Sequence, residues 1–359
     1  MHWIAFLAAC LALVLARLLR APNRSSLVTG AAGFVLAFLV TTIGVRFIAN
    51  EAGITRPNDY NAFIVHASNT AETDAEAPII LFLGASFSRN AIDGEALTED
   101  LRQLGYPHRV INLSLEGASL QERDAHLREF LDYSGLVPDV VFIEAAQEFD
   151  ADPTYVFRVA KFSDRAIGQF APRAVFWSLK GLSQGQCDGL VNCGKSWGFL
   201  AAHAGMNFTN LGLLATGEAL SGVEAIPAYD PQDTRRDEFI LTADEIAAHL
   251  DETVTFEPSS GPSWARLFRT EQRAFLEETG VRRIAYYYPP VLPASDRAYV
   301  AGLCAGELAD YPCIAPVDPG LLHALKGEFW FDEKHLLTPG ADIYRGWLVQ
   351  QIESWGALK

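Results

Sequence analysis

The sequence predicts an α/β protein in which helices cover both faces of a parallel sheet. Short, continuous apolar runs recur along the chain, and most are followed by segments with the apolar spacing of a helix. Turn-forming residues separate the two kinds of segment. Parallel strands buried on both faces have such uninterrupted apolar sequences, so the pattern predicts three layers, α/β/α.

The first predicted strand is Ile79–Leu83, which ends at Gly84 and is followed by a predicted helix from Asp93 to Leu104. Further strands are predicted over residues 109–114, 138–144 and 281–288, and further helices over about 119–133 and 340–355. Ligands of open α/β sheets bind beyond the carboxyl ends of the strands. Ser86 is therefore predicted to lie at the binding edge.

Two segments far apart in sequence together carry three side chains that suit nucleophilic catalysis. Ser86 follows the first strand, and Asp332 and His335 form an Asp-x-x-His motif just before the last predicted helix. A serine hydroxyl needs an imidazole to take its proton, and the imidazole needs a carboxylate to fix its tautomer. Either motif alone is typical of an ordinary turn or helix cap. Together they predict Ser86 as nucleophile, His335 as base and Asp332 as orienting carboxylate.

The order of these motifs resembles that of the SGNH (GDSL-type) hydrolase and acyltransferase superfamily. Gly84-Ala85-Ser86 corresponds to its Gly-Asp-Ser, Gly117 to its second-block glycine, and Asp332-x-x-His335 to its last block. The resemblance covers roughly residues 78–150 and 280–355. It implies a flavodoxin-like three-layer domain with a parallel sheet, interrupted by a long insert.

Two positions depart from the family pattern. Ala85 replaces the family's Asp, and the family's third-block Asn is missing from Ala145-Ala146-Gln147-Glu148. In the family, an oxyanion hole is formed by backbone N–H groups of the Ser and Gly and by the Asn side chain. The resemblance therefore implies Ser86 and Gly117 as oxyanion donors. Gln147 could supply the third donor, the alternative being a solvated loop amide.

The chain is most similar to the membrane-anchored acyltransferase branch of this superfamily, which serves alginate and cellulose O-acetylation and D-alanine transfer to teichoic acid. The apolar amino terminus and the phrase from His335 through Pro339-Gly340-Ala341 support that branch. The resemblance implies an O-acetyltransferase acting on a cell-envelope or secreted polysaccharide, with a membrane-bound O-acyltransferase as partner. A carbohydrate esterase using the same triad and a non-catalytic glycan-binding scaffold are the alternatives.

Two transmembrane helices are predicted within residues 1–49. The apolar stretches Trp3 to Ala16 and Leu27 to Val45 approach the ~20 residues that a bilayer helix needs. Arginines 17, 20 and 24 lie between them, so the positive-inside rule places the connection in the cytoplasm. The catalytic part would then be periplasmic, anchored in the inner membrane. A cleaved signal peptide is the alternative, although the start lacks a basic region.

Four cysteines form two closely spaced pairs, Cys187 with Cys193 and Cys304 with Cys313. Two local disulfides are predicted, which agrees with an oxidising compartment. Zinc binding is the alternative, but these spacings exceed the two to four residues usual between paired zinc ligands.

Residues 50–77 are polar and are predicted to link the membrane to a catalytic domain over 78–359, with an insert at about 151–280. The formal net charge of −16 argues against nucleic acid as a partner. Neither a metal motif nor a nucleotide-binding loop is present, so no cofactor is expected. The aromatic candidates for sugar stacking or for core packing are Trp177, Trp197 and Trp264 in the insert and Phe329-Trp330-Phe331 beside Asp332.

Overall fold

The computed structural model describes residues 24–51, 59–73, 76–146, 170–187, 189–216, 220, 222–356 and 358. The first predicted membrane helix and the arginines at positions 17 and 20 lie outside these residues, and so does Gln147.

A parallel sheet of five strands forms the centre of the domain, which confirms the predicted α/β class. The strands are β1 (Ile79–Leu83), β2 (Arg109–Asn112), β3 (Val140–Glu144), β4 (Arg283–Tyr287) and β5 (Cys313–Ile314). Their order in the sheet is β2-β1-β3-β4-β5. Doubly wound sheets with this order have a switch point between the first and third strands, where a crevice opens beyond the carboxyl ends.

Helices connect and flank these strands. Before β2 they are α1 (Arg24–Glu51), α2 (Asp59–Glu72), α3 (Ser86–Ala91) and α4 (Gly94–Gln103). Between β2 and β4 they are α5 (Leu120–Ser134), α6 (Pro172–Ser183), α7 (Gly189–Thr209), α8 (Leu211–Thr216), α9 (Ala243–Asp251) and α10 (Ser263–Thr279). The remaining ones are α11 (Ala294–Ala305), α12 (Pro319–Ala324) and α13 (Thr338–Trp355).

Each face of the sheet carries its own apolar core. Ile80 and Phe82 belong to one core, whereas the alternate residues Leu81 and Leu83 belong to the other. All residues of β1 and β3 are buried. Successive side chains of a strand point to opposite faces, so an apolar run without polar alternation must be covered on both sides.

Helix α2 lies within residues 50–77, the segment predicted to be a linker, and contributes residues to the core of the domain. Its residues Tyr60, Phe63 and Ile64 are buried in the core that also contains Leu81. The carbonyl oxygen of Tyr60 lies 2.9 Å from His126 Nε2 on α5. Seven of the fourteen residues of α2 are apolar, and nine are buried. The polar residues on both sides of the helix give the whole segment the composition of a linker.

One helix of the predicted insert, α10, packs against the sheet. Helix α10 buries Phe268 and Leu276, and Leu276 belongs to the same core as Leu81. This helix leads into β4, so it acts as the crossover helix of the parallel sheet. The domain boundaries given above remain predictions.

Both predicted disulfides are present. Cys187 is bonded to Cys193, with Cα atoms 5.1 Å apart, and Cys304 to Cys313, with Cα atoms 5.5 Å apart. The second bond joins the end of α11 to the start of β5.

Helix α1 is long and apolar enough to cross a membrane over Val28–Ile48. A membrane anchor and a signal sequence both satisfy this test, and the two disulfides agree with an extracytoplasmic location. The two-helix hairpin remains a prediction, because its first helix lies outside the described residues.

We predict that Phe63→Ala lowers the free energy of unfolding by about 3 kcal/mol, because it leaves a cavity in a close-packed core. Glu72→Ala, at an exposed position of the same helix, should change it by less than about 0.5 kcal/mol. Denaturant unfolding of the full chain in detergent measures both. A neutral Phe63→Ala would mean that α2 is a dispensable linker.

Candidate functional site

The turn after β1 positions the predicted nucleophile. Ser86 is the first residue of α3, directly after Gly84 and Ala85. A Cβ atom at position 84 would lie 2.6 Å from both Glu144 Oε2 and Ser88 Cβ, closer than real Cβ contacts allow. Glycine is therefore required by the approach of the turn to the end of β3.

The buried carboxylate of Glu144 holds this turn in place. Its Oε2 accepts a hydrogen bond from the Ala85 backbone N–H at 2.9 Å and another from the Ser88 hydroxyl at 2.5 Å. Glu144 ends β3, so the two contacts join the carboxyl ends of β1 and β3 across the switch point. They fix the backbone on both sides of Ser86.

Tyr287, at the end of β4, extends the same network. Its hydroxyl donates to Ser88 Oγ at 2.7 Å, and Ser88 in turn donates to Glu144. Burial, with a further contribution from the Glu144 charge, raises the pKa of the Tyr287 hydroxyl far above its usual value. The tyrosine therefore stays protonated and acts as a donor to Ser88.

The charge of Glu144 is paired by Arg123 from α5. Arg123 Nη2 lies 2.8 Å from Glu144 Oε1, and both side chains are almost completely buried. Arg123 Nη1 also donates to the carbonyl oxygens of Glu144 and Ala146, at 3.3 and 3.5 Å. A buried carboxylate without such a partner would carry a large desolvation cost. Helix α5 begins just after Gly117, so the pair also ties that segment to β3.

The segment that carries Asp332 and His335 is a loop between α12 and α13. The backbone N–H of Phe331 donates to the His335 carbonyl at 2.9 Å, and Leu337 N–H donates to the Phe329 carbonyl at 2.9 Å. Gly340 permits this packing, since a Cβ there would lie 2.5 Å from the Phe329 oxygen. Asp332 and His335 lie at the closed end of this loop.

Asp332 and His335 are directly hydrogen-bonded. His335 Nδ1 lies 2.7 Å from Asp332 Oδ1, which also accepts the backbone N–H groups of Lys334 and His335 at 2.9 and 3.0 Å. This pairing favours the tautomer with hydrogen on Nδ1, leaving Nε2 as the proton acceptor. Burial alone would raise the pKa of Asp332, but its hydrogen bonds with His335 and Lys334 hold it below the usual value.

The structure brings the predicted catalytic residues to one pocket of about 390 Å³. Ser86, Gly117, Asp332 and His335 all line it. The Phe87 ring, next to Ser86, has its centroid 5.1 Å from that of His335. The pocket lies where the carboxyl end of β1 meets the loop before α13, the edge at which open α/β sheets bind ligands.

Gly117 adopts a left-handed backbone conformation, with a φ of +62°. Other residues rarely adopt this conformation, so the turn at the wall of the pocket depends on glycine. Of the three predicted oxyanion donors, Ser86 and Gly117 are lining residues of the pocket. The third, Gln147, lies outside the described residues.

Part of the pocket wall comes from the insert, which the motifs did not identify. Arg236, Glu238 and Phe239 line the pocket. Arg236 Nη1 lies 3.7 Å from Asp332 Oδ2, and its backbone N–H donates to the Phe331 carbonyl at 3.0 Å. The Arg-Arg-Asp-Glu-Phe segment looks like an ordinary polar loop in sequence, and only its long-range contacts reveal its position.

Three of the aromatic candidates pack in the interior. Trp177, Trp264 and Trp330 are each at most 1% exposed, and Trp330 Nε1 donates to the Leu325 carbonyl at 3.0 Å. These side chains serve core packing rather than sugar stacking. Over the described part of the chain, no group of three or more His, Cys, Asp and Glu suits a metal ion.

Comparison of the chain with protein-family models, curated proteins and solved structures finds no match.

We predict that Glu144→Gln lowers the free energy of unfolding by about 3 kcal/mol, because it leaves the Arg123 charge buried and unpaired. The matched control is Glu271→Gln, which removes the partner of Arg173 in a half-exposed ion pair. That change should cost at most about 1 kcal/mol. Equal effects of the two substitutions in denaturant unfolding would contradict the role given to Glu144.

The lowered pKa of Asp332 predicts a pH-dependent stability. A carboxylate whose pKa is depressed by folding stabilises the fold fully above its unfolded value, about 4, and loses that contribution as the pH falls through the folded value. The difference in unfolding free energy between wild type and Asp332→Asn should therefore shrink as the pH falls below about 4. A difference that grows on acidification would contradict the assignment.

Proposed function

We propose that this protein is an extracytoplasmic serine acyltransferase that moves a small acyl group, acetyl in the first instance, to a hydroxyl of a polysaccharide. The observation that carries the proposal is the hydrogen-bonded Asp332–His335 pair, 2.7 Å between Oδ1 and Nδ1, in a pocket shared with Ser86. The resemblance to SGNH acyltransferases in motif order supports the same chemistry.

In the first half-reaction, Ser86 Oγ attacks the acyl carbonyl while His335 Nε2 takes the hydroxyl proton. Asp332 stabilises the imidazolium that forms and keeps the ring oriented. Backbone N–H groups of Ser86 and Gly117 hold the developing oxyanion, each such donor being worth about 3 kcal/mol. His335 then gives its proton to the leaving group, and an acyl-serine remains.

In the second half-reaction, His335 takes the proton of an acceptor hydroxyl as its oxygen attacks the acyl-serine carbonyl. The bond to Ser86 breaks, and the serine oxygen recovers its proton from the imidazolium. A pocket of about 390 Å³ leaves room for an acceptor beside an acetyl group. Arg236, Glu238 and Lys334 at its wall offer charged hydrogen-bonding groups suited to a hydroxyl-rich ligand.

The proposed location is the outer face of the inner membrane, with α1 as anchor. The span Val28–Ile48 and the two disulfides support this placement. Acyl-CoA is cytoplasmic, so an extracytoplasmic Ser86 needs a partner that passes the acyl group across the bilayer. By resemblance, that partner is a multispanning membrane-bound O-acyltransferase.

Acyl-enzyme formation tests the proposal. Incubation of the full chain in detergent with a chromogenic acetyl ester should add one acetyl group to Ser86, detected by intact and peptide mass spectrometry. Ser86→Ala should abolish the adduct, and Asp332→Asn should slow its formation by about 10³- to 10⁴-fold because the tautomer is wrong. Ser354→Ala and Asp310→Asn, at exposed positions, serve as matched controls.

The acceptor is identified by the fate of the acetyl group. Addition of candidate oligosaccharides should yield O-acetylated glycan from wild type and not from Ser86→Ala. Release of acetate alone with every acceptor would favour an esterase. Absence of any adduct, with the protein folded and unlabelled by a fluorophosphonate, would contradict catalysis and favour a glycan-binding scaffold.

A further inference from the structure

Helices α7 and α8 of the insert present an unusual apolar surface. Five large apolar side chains are exposed on them, with Leu190 at 95% and Val191 at 72% exposure. The full set is Leu190, Val191, Trp197, Phe208 and Leu214. Over residues 189–214, Lys195 is the single Asp, Glu, Lys or Arg in the sequence. Scattered exposed apolar residues are ordinary, but a nearly uncharged stretch this rich in them marks an interaction surface.

The surface begins beside α1. The Phe208 ring at the end of α7 packs edge-on against the Phe38 ring of α1, with centroids 5.9 Å apart. At Gly212 on α8 a Cβ atom would lie 3.1 Å from the Thr42 carbonyl oxygen and 2.8 Å from Arg46 Cβ. The lack of a side chain thus lets the backbone of α8 lie close against α1.

The depth of these contacts in the bilayer determines whether lipid or water surrounds the surface. Phe38 precedes Ile48, the end of the apolar span, by ten residues, which is about 15 Å along a helix axis. The hydrocarbon core of a bilayer is about 30 Å thick. If α1 crosses the bilayer, the position of Phe38 is close to its middle, and Phe208 in contact with it cannot lie in water.

We propose that α7 and α8 insert into the outer leaflet beside α1, with their exposed apolar face in contact with lipid acyl chains. This inference rests on the proposed anchoring by α1 and adds a second membrane element to it. The catalytic domain would then sit on the bilayer at a fixed height, held by α1 together with the insert.

The composition of α7 suits a lipid environment. The exposed side chains of α1 itself, such as Val35, Leu36 and Val40, are of the same uncharged, apolar kind. Trp197 is amphipathic, and the Lys195 stem can reach toward the headgroups, as is typical of residues near a membrane interface. Three polar residues of α7, Ser196, His203 and Asn207, are buried, and Asn207 Oδ1 accepts the Ala171 N–H at 2.7 Å. Asn192, Lys195 and Thr209 are its exposed polar residues.

Lipid photolabelling tests the insertion. The full chain is reconstituted into nanodiscs of phosphatidylcholine that carries a diazirine in its acyl chain, irradiated, and digested for mass spectrometry. Adducts are expected within residues 189–214 as well as within 28–48. Peptides containing Ile240, which is 86% exposed outside these helices, serve as an internal control for labelling from solution.

A double substitution, Phe208→Glu with Leu214→Glu, should reduce labelling of the α7 and α8 peptides by about tenfold, because charged side chains are costly in hydrocarbon. Both positions are exposed, so the fold should tolerate the change. The matched control, Ile240→Glu, should leave the labelling unchanged. Unchanged labelling of α7 in the double variant would overturn the inference, because it would show labelling without insertion.

The two proposals fail differently. Adducts on residues 28–48 without adducts on residues 189–214 would overturn the insertion of α7 and α8 but would leave the proposed α1 anchor intact. The exposed apolar surface would then be assigned to a protein partner. Absence of adducts from both segments would overturn the proposed membrane anchoring together with the inference. Acyl-enzyme formation on Ser86 is measured separately and depends on neither result.

Discussion

The buried carboxylate of Glu144 is the group on which the geometry of the candidate site depends. It accepts hydrogen bonds from Ala85 and Ser88 on the two sides of Ser86, and Arg123 neutralises its charge. A single side chain at the end of β3 thereby holds the turn after β1 and the helix after Gly117. Because these groups are buried, each hydrogen bond and the ion pair is stronger than it would be in water. The loss of any partner therefore costs folding free energy.

The other half of the site is organised locally. Asp332 and His335 are three residues apart, and the loop that carries them is closed by its own backbone hydrogen bonds. The two halves meet directly where the Phe87 ring packs against His335, with centroids 5.1 Å apart. The insert also connects them, because Arg236 contacts the Asp332 loop while the Asp230 N–H donates to the Arg89 carbonyl of α3. The insert thus lines the pocket and helps to hold α3 and the Asp332 loop in position. In the membrane proposal it also sets the height of that pocket above the bilayer.

Local patterns in the sequence predicted the strands β1 to β4 and the disulfides, because an apolar run or a close cysteine pair needs only near neighbours. Ser86, Asp332 and His335 could be predicted to share a site because serine, aspartate and histidine in this order are recognisable as residue types, and all three line one pocket. Their catalytic roles stay a prediction. Strand β5 is only two residues long and leaves no such pattern. The roles of Glu144 and Tyr287 depend on Ser88, 56 and 199 positions away, so no local signal could reveal them.

A crystal structure of the full chain after reaction with a fluorophosphonate tests directly the assignment of Ser86 as nucleophile and His335 as its base. This assignment predicts phosphorus bonded to Ser86 Oγ, His335 Nε2 within about 3.2 Å of an oxygen on the reacting centre, and Glu144 still hydrogen-bonded to the Ala85 N–H. Modification of another residue, or a His335 ring turned away from the modified serine, would contradict it.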